Sequence, residues 1–264
     1  MASITVRRAA FNFSTDTQRY WLGGDPFQTH LMNSFTLAIP LIEHWAIRIM
    51  QRLLPQIDGE VRQDAIAFVS QEVHHAHAHN LFWENLDRQG YTAARYRQAI
   101  AFVLGQFETR FSLAFNCAIL AGLEHLTEYI SDFSLSHDIF SAAEPELRYM
   151  FEWHAAEEIE HKTVVYDVIN NLGVSYPVRL LALLVSHIYA IAVFVWGTAM
   201  LLRQDRLLRR RATWGSAAQF LLLSGFLAGA VKNFAAYLKP NFHPSQRNNM
   251  AIAQAVLGTV SAQR

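Results

Sequence analysis

Two short stretches concentrate the ligating side chains of this sequence. Residues 71–79 read Gln71-Glu72-Val73-His74-His75-Ala76-His77-Ala78-His79, and residues 153–162 read Trp153-His154-Ala155-Ala156-Glu157-Glu158-Ile159-Glu160-His161-Lys162. Each contains a Glu-x-x-His pair. On a helix, at about 100° per residue, Glu72 and His75 lie about 60° apart and reach one inward point, as do Glu158 and His161. His79 extends the first face by a turn and His154 extends the second. Glu72, His75 and His79 fall at offsets 0, 3 and 7, and so do His161, Glu158 and His154 read backwards. Antiparallel packing of the two helices would therefore set the triplets opposite each other.

Two more carboxylates stand where apolar helices should have none. Glu43 lies in Ala38-Ile39-Pro40-Leu41-Ile42-Glu43-His44-Trp45, and Glu124 in Ala118-Ile119-Leu120-Ala121-Gly122-Leu123-Glu124-His125-Leu126. A buried carboxylate must be paired, protonated or bound to a cation. The order Glu43, Glu72-x-x-His75, Glu124, Glu158-x-x-His161 supplies one Glu from each of two helices and a Glu-x-x-His from each of two others. That is the donor set of ferritin-like di-iron or di-manganese carboxylate bundles, in which two divalent ions share carboxylates and each takes one His. The two halves echo each other, Glu-His and later Glu-x-x-His, at separations of 29 and 34 residues.

On these residues the sequence resembles known families. Over residues 35–165 the order and spacing are similar to the bacterial multicomponent di-iron monooxygenases. The turn His154-x-x-x-Glu158-x-x-His161 resembles the aminobenzoate N-oxygenase type, which implies His154 as a seventh ligand beside Glu43, Glu72, His75, Glu124, Glu158 and His161. Taken whole, with Lys239-Pro240-Asn241-Phe242-His243-Pro244 near its end, the chain most resembles the bacterial family labelled predicted metal-dependent hydrolase. The monooxygenases often carry Asp just before each Glu of the paired motifs, bonding the opposite His. Here those positions hold Gln71 and Glu157, an altered set.

The remaining candidates have two readings each. His79 shares the ligand face and is a candidate further ligand. His44 and His125 point about 100° away from their neighbouring glutamates and read as packing or hydrogen-bonding residues around the site. His74 and His77 fall on the other side of their helix, and Glu152 and Glu160 read as ordinary polar-face residues. His243, between prolines, is a candidate substrate contact or a structural turn.

These residues need helices to place them. The chain has 264 residues, 12 Gly, 7 Pro, and apolar residues at three-and-four spacing, which predicts an all-α fold: a ferritin-like four-helix bundle with a C-terminal hydrophobic hairpin. Asp25-Pro26 opens the first helix, with a kink or restart at Pro40, and it ends at Leu54-Pro55. Asp58 opens the second, to about Arg88. The long helical stretch from Thr92 to about Ser131 is expected to break near Gly105, followed by a polar connector to Ser141. A last bundle helix runs from Ala143-Glu144-Pro145 to Asn171-Leu172-Gly173. Residues 180–202 and 212–231 are uncharged runs on either side of an arginine-rich turn and read as a hairpin that either meets a membrane or packs on the bundle or a partner. The expected organisation is an arm over 1–24, the bundle over 25–173, and the hairpin with its tail over 174–264.

Composition narrows the function. Lys+Arg and Asp+Glu balance at 22 each, with only 17% charged residues against about 25% in ordinary soluble domains. A balanced chain argues against nucleic-acid binding. A single Cys117 and no signal-like start point to the cytoplasm, with attachment to the inner face of the membrane as a further expectation. The first reading is a non-haem di-iron oxidase or oxygenase (two Fe, with Mn as the alternative) that uses dioxygen on a small apolar substrate, lipid or fatty acyl, or on an amine. It needs a separate electron donor, a reductase or ferredoxin, because the chain has no Cys cluster and no Gly-rich dinucleotide motif. The alternative is a two-metal hydrolase of an ester or phosphoester, and the third a non-enzymatic iron-binding protein. Covering so much apolar helix is expected to make a homodimer.

Overall fold

In the computed structural model, which describes residues 4–262, the chain is all-helical, with no strand among the described residues. Helix α1 spans Pro26–Leu53, α2 Gly59–Arg88, α3 Ala94–Arg110, α4 Leu113–Ser136 and α5 Pro145–His161. They are followed by α6 Val164–Asn171, α7 Tyr176–Gln204, α8 Arg211–Ala218, α9 Phe226–Tyr237 and α10 Met250–Ala262. The site is carried by α1, α2, α4 and α5, where α1 packs on α2 and α4 on α5.

Asp25 caps α1 by accepting the amide of Gln28 at 3.0 Å. The helix does not restart at Pro40: it runs through. Proline removes the N–H that would bond Thr36 O. Trp83 Nε1 of α2 donates to that carbonyl instead, at 2.7 Å, so the defect becomes a tie between helices.

The long helical stretch breaks later than its glycines suggest. Gly105 sits inside α3, and the break comes at Phe111-Ser112, where the Ser112 hydroxyl accepts the amide of Phe115 and caps α4. A cap with a free oxygen stops a helix more effectively than a single glycine, which costs only about 1 kcal/mol within one. Helix α4 then runs past Ser131 to Ser136. The fourth bundle helix, expected to be continuous to Asn171, is interrupted at Lys162-Thr163, directly after His161.

Helix α7 lies along α1 and α4. Two glycines allow the approach: a Cβ at Gly122 would stand 3.2 Å from Leu183 Cα, and one at Gly197 2.6 Å from Ser34 Cβ. Buried hydrophobic residues are continuous from the bundle into α7 and α10, which packs on α5. The outer side of α7 stays bare. It is long and apolar enough to cross a membrane, and α8 with the π-turn Gln219–Leu223 and α9, bent by 43°, passes the same test only as a broken pair. The second arm of the expected hairpin is thus not one straight helix: Gly225, at φ +84°, turns the chain between its parts.

Candidate metal centre

Helix α1 delivers Glu43, α2 Glu72 and His75, α4 Glu124, and α5 His154, Glu158 and His161, all buried. Two groups of ligand atoms close to within 4.8 Å: Glu43, His75, His154 and Glu158, and Glu72, His75, Glu158 and His161. They share His75 and Glu158. Glu158 Oε1 lies 3.6 Å from His75 Nδ1, 3.5 Å from His161 Nδ1 and 3.4 Å from His154 Nε2. Glu124 joins through Oε2, 3.8 Å from His161 Nδ1, and Glu43 Oε1 is 3.9 Å from His75 Nδ1. The opposed triplets expected from the offsets are therefore brought face to face.

The electrostatics are those of a site built for cations. Burial, then the neighbouring Glu72 and Glu158 charges, pushes the Glu43 carboxyl well above the usual carboxylate range. Burial, with Glu158 and Glu72, does the same to Glu124. Burial also works against the charge of Glu158, but the facing imidazoles of His154 and His161 overcome it and hold Glu158 well below that range. His161 is raised well above the ordinary histidine value, since Glu158 and Glu72 outweigh the cost of burying its charge. Burial beside His154 drives His75 and His79 well down.

Both oxygens of Glu43 and of Glu72, Glu124 Oε2, His75 Nδ1, His154 Nε2 and His161 Nδ1 are buried without a hydrogen-bond partner in the protein. Buried polar atoms in folded proteins are as a rule paired, and eight of the 18 unpartnered buried side-chain atoms among the described residues meet at this one place. Such a cluster, converging from four helices, fits divalent cations, and four carboxylates balance two of them in charge.

The outward nitrogens of the paired-motif histidines are held from the opposite helix. His75 Nε2 lies 3.0 Å from Glu157 Oε2, and His161 Nε2 lies 2.9 Å from Gln71 Oε1. Gln71 and Glu157, each just before the Glu of its own paired motif, thus hold the histidine of the opposite motif. The amide of Gln71 has a fixed sense, because its Nε2 donates to Thr5 O at 3.1 Å and to Glu160 Oε2 at 3.1 Å. Its Oε1 must then accept from His161 Nε2–H, which leaves Nδ1 to face the centre.

Arg7 closes the arrangement from the N-terminal arm. Its Nη1 donates to Glu157 Oε1 at 3.1 Å and to Glu160 Oε2 at 2.8 Å, and its Nη2 to Glu160 Oε1 at 3.0 Å. A continuous ring runs from His75 through Glu157, Arg7, Glu160 and Gln71 to His161. Sequence reasoning misses Arg7 and reads Glu160 as ordinary surface. The spacing of Glu157 and Glu160, one turn apart on the outer side of the ligand face, is the available signal; Arg7, far off in sequence, gives none.

His79 does not join either donor group. Its Nε2 lies 3.1 Å from His154 Nδ1 and its Nδ1 3.2 Å from Thr36 Oγ1, so it links the α5 histidine to α1. His44 is exposed and bonds Pro40 O within its own helix. His125 Nε2 bonds Asn233 O at 2.9 Å, and Asn233 Nδ2 returns a bond to His125 O, tying α4 to α9. His243 Nε2 meets Asp167 Oδ1 at 2.9 Å and its Nδ1 meets Ser245 Oγ at 2.7 Å, which places it in a turn away from the donor groups.

No curated protein and no solved structure matches the chain. The family model described as predicted metal-dependent hydrolase matches residues 5–248, from just before Arg7 to beyond the His243 turn, and the protein belongs to that family.

Proposed function

We propose that the protein is a dinuclear metal-dependent hydrolase acting on an ester or phosphoester. The observation that carries the reading is the pair of overlapping donor groups sharing His75 and Glu158, taken with the family's description. Glu43, Glu72, His75, Glu124, His154, Glu158 and His161 would hold two divalent ions. Such ions, when bound, supply Lewis acidity and a hydroxide nucleophile near neutral pH. The chain's own part is to fix the histidines through Gln71, Glu157 and His79 and to keep the carboxylates buried together at the centre of the bundle.

The family description favours hydrolysis over the oxidation expected first from the sequence. One observation keeps oxidation as a second reading: four carboxylates and three histidines in a bundle core form a donor set suited to Fe(II) and Mn(II). Under that reading the substrate is small and apolar, dioxygen is consumed, and a separate reductase or ferredoxin supplies electrons.

Metal-free protein loaded anaerobically with Zn(II), Mn(II) or Fe(II) separates the two. Two ions per chain, with cleavage of p-nitrophenyl esters or phosphates supported by Zn(II) or Mn(II) and no dioxygen uptake, is the expected result. Dioxygen uptake by the Fe(II) form without hydrolysis would favour the second reading. Failure to bind any of the three ions would overturn both.

A further inference from the structure

The overall charge balance of the chain hides a strong polarity. After Asp167 the sequence carries one carboxylate side chain, Asp205, against ten lysines and arginines; the first 167 residues carry the other 21 carboxylates with twelve basic side chains. Asp205 is not available at the surface. Its side chain is 2% exposed and is taken up by Arg19, Tyr20, His30 and Tyr91. The described surface of the C-terminal third is therefore basic, with no exposed acidic side chain to offset it.

This same third bears most of the exposed large hydrophobic side chains among the described residues. On α7, Leu181, Leu184, Ile188, Ile191 and Val195 are 48–64% exposed. Their spacing of three and four residues puts them on one side of the helix. Leu222, Leu223, Leu227 and Val231 of the second arm are also exposed, at 63%, 82%, 41% and 67%. Between the arms, Arg203, Arg206, Arg209, Arg210 and Arg211 are all exposed, as are Lys232 within α9 and Lys239 just beyond it. An exposed apolar stripe of this length on one helix marks a docking site.

We propose that this face docks on the surface of an anionic lipid membrane, with α7 lying in the plane of the interface. Charge complementarity selects the occupant. Phosphate headgroups satisfy an arginine cluster flanking an apolar stripe. A second copy would bring this basic segment, which has no exposed acidic side chain of its own, against its own like and leave its arginines without partners within it. Nor are the positions beside the α7 stripe charged, as they are where helices pair by coiled-coil seams: Ala192, Trp196 and Ala199 stand there. The packing decides between lying on and spanning. Ala182, Leu183, Ser186, Tyr189, Ala190 and Val193 form the inner side of α7, buried with the bundle. Lipid can reach only the outer side, which is the geometry of an interfacial helix.

The test uses the full chain and vesicles of phosphatidylcholine alone or mixed with phosphatidylglycerol, read by co-sedimentation and by the emission of the exposed Trp196 and Trp214. The expected result is binding to the mixed vesicles, weaker binding to the neutral ones, a blue shift on binding, and loss of affinity as salt rises. Arg209→Gln and Arg210→Gln should each reduce partitioning about fivefold, and Leu184→Gln and Ile188→Gln about tenfold each. All four side chains face solvent or lie at its edge, and helix content by circular dichroism should stay unchanged. Equal binding to both vesicle types, or none to either, overturns the proposal. A stable dimer that ignores vesicles and is dissociated by Ile188→Gln overturns it in favour of a second copy. Metal content enters none of these readouts, so the outcome is independent of the proposed hydrolytic centre.

Discussion

Gln71 Oε1 lies 2.9 Å from His161 Nε2, and the same amide's nitrogen is committed to Thr5 O and Glu160 Oε2. One neutral side chain thereby sets the tautomer and ring orientation of a histidine on the opposite helix. The substitution Gln71→Leu removes the acceptor and leaves an apolar side chain that still fills much of the space. Outer contacts of this kind are worth about 10–100-fold in metal affinity. Titration of metal-free Gln71→Leu with Co(II), followed by its visible absorption, should show that loss. Affinity equal to the wild type would show that Gln71 does not position His161.

Arg7 is the one cation in the ring that links the two histidines, and it is supplied by the arm rather than by the bundle. Arg7→Ala leaves Glu157 and Glu160 without their shared partner, and burial already disfavours the charge on Glu157. Weaker metal binding is expected, again by about 10–100-fold. Arg7→Lys should restore only part of it, since an ammonium lacks the planar pair of nitrogens with which Arg7 meets both oxygens of Glu160 while also reaching Glu157. Arg8→Ala, at an exposed neighbouring position, should bind as the wild type does. Equal affinities in Arg7→Ala and Arg8→Ala would remove the arm from the account.

Much of this site is legible in the sequence because helical geometry is local. Two residues three apart share a face wherever the helix lies, so Glu72 with His75 and Glu158 with His161 follow from spacing alone. Glu43 and Glu124 follow from the cost of burying a lone carboxylate among apolar neighbours. Arg7 is not legible, because a bond across some 150 residues leaves no periodic trace, and Glu160 looks like any solvated glutamate. The same limit applies to boundaries. Ser112, an ordinary-looking polar residue, ends a helix that Gly105 does not, because the Ser112 hydroxyl finds the amide of Phe115. The continuity of α1 through Pro40 depends on Trp83, a residue of another helix.

Replacing a ligand should trade binding for stability. In metal-free protein Glu43 is buried beside Glu72 and Glu158, whose charges oppose its own. Glu43→Gln keeps the shape and removes that conflict, so metal-free Glu43→Gln should unfold at higher denaturant than the metal-free wild type, by about 1–4 kcal/mol. Its metal content should fall. A lower denaturation midpoint together with full metal occupancy would contradict the placement of Glu43 in the donor cluster.

The close crossing of α4 and α7 makes Gly122 sensitive to a single methyl. A Cβ there would stand 3.1 Å from Ser186 Cβ and 3.2 Å from Leu183 Cα, and the latter is backbone that cannot rotate away. Gly122→Ala would gain about 1 kcal/mol in helix propensity, but overpacking costs about 1–3 kcal/mol. Net destabilisation is expected by chemical denaturation. A stabilised Gly122→Ala would mean that α7 moves freely off α4.

Asp205 gives the fold a defined response to acid. Burial alone would raise its carboxyl, but Arg19, Tyr91 and His30 bring it down to about 2. Tyr91 donates at 2.7 Å and His30 Nε2 lies at 2.8 Å, so the end of α7 is pinned to the arm, α1 and the turn before α3. A carboxyl depressed in the folded state stabilises it above the unfolded value of about 3.9. That contribution is lost as pH falls through the folded value, between about 4 and 2. The wild type should therefore be more stable than Asp205→Asn near neutral pH, with the gap closing over that interval. Denaturation midpoints of the two proteins across the range check it, and a gap that stays constant down to pH about 2 would show that the Asp205 charge contributes nothing to holding these elements together.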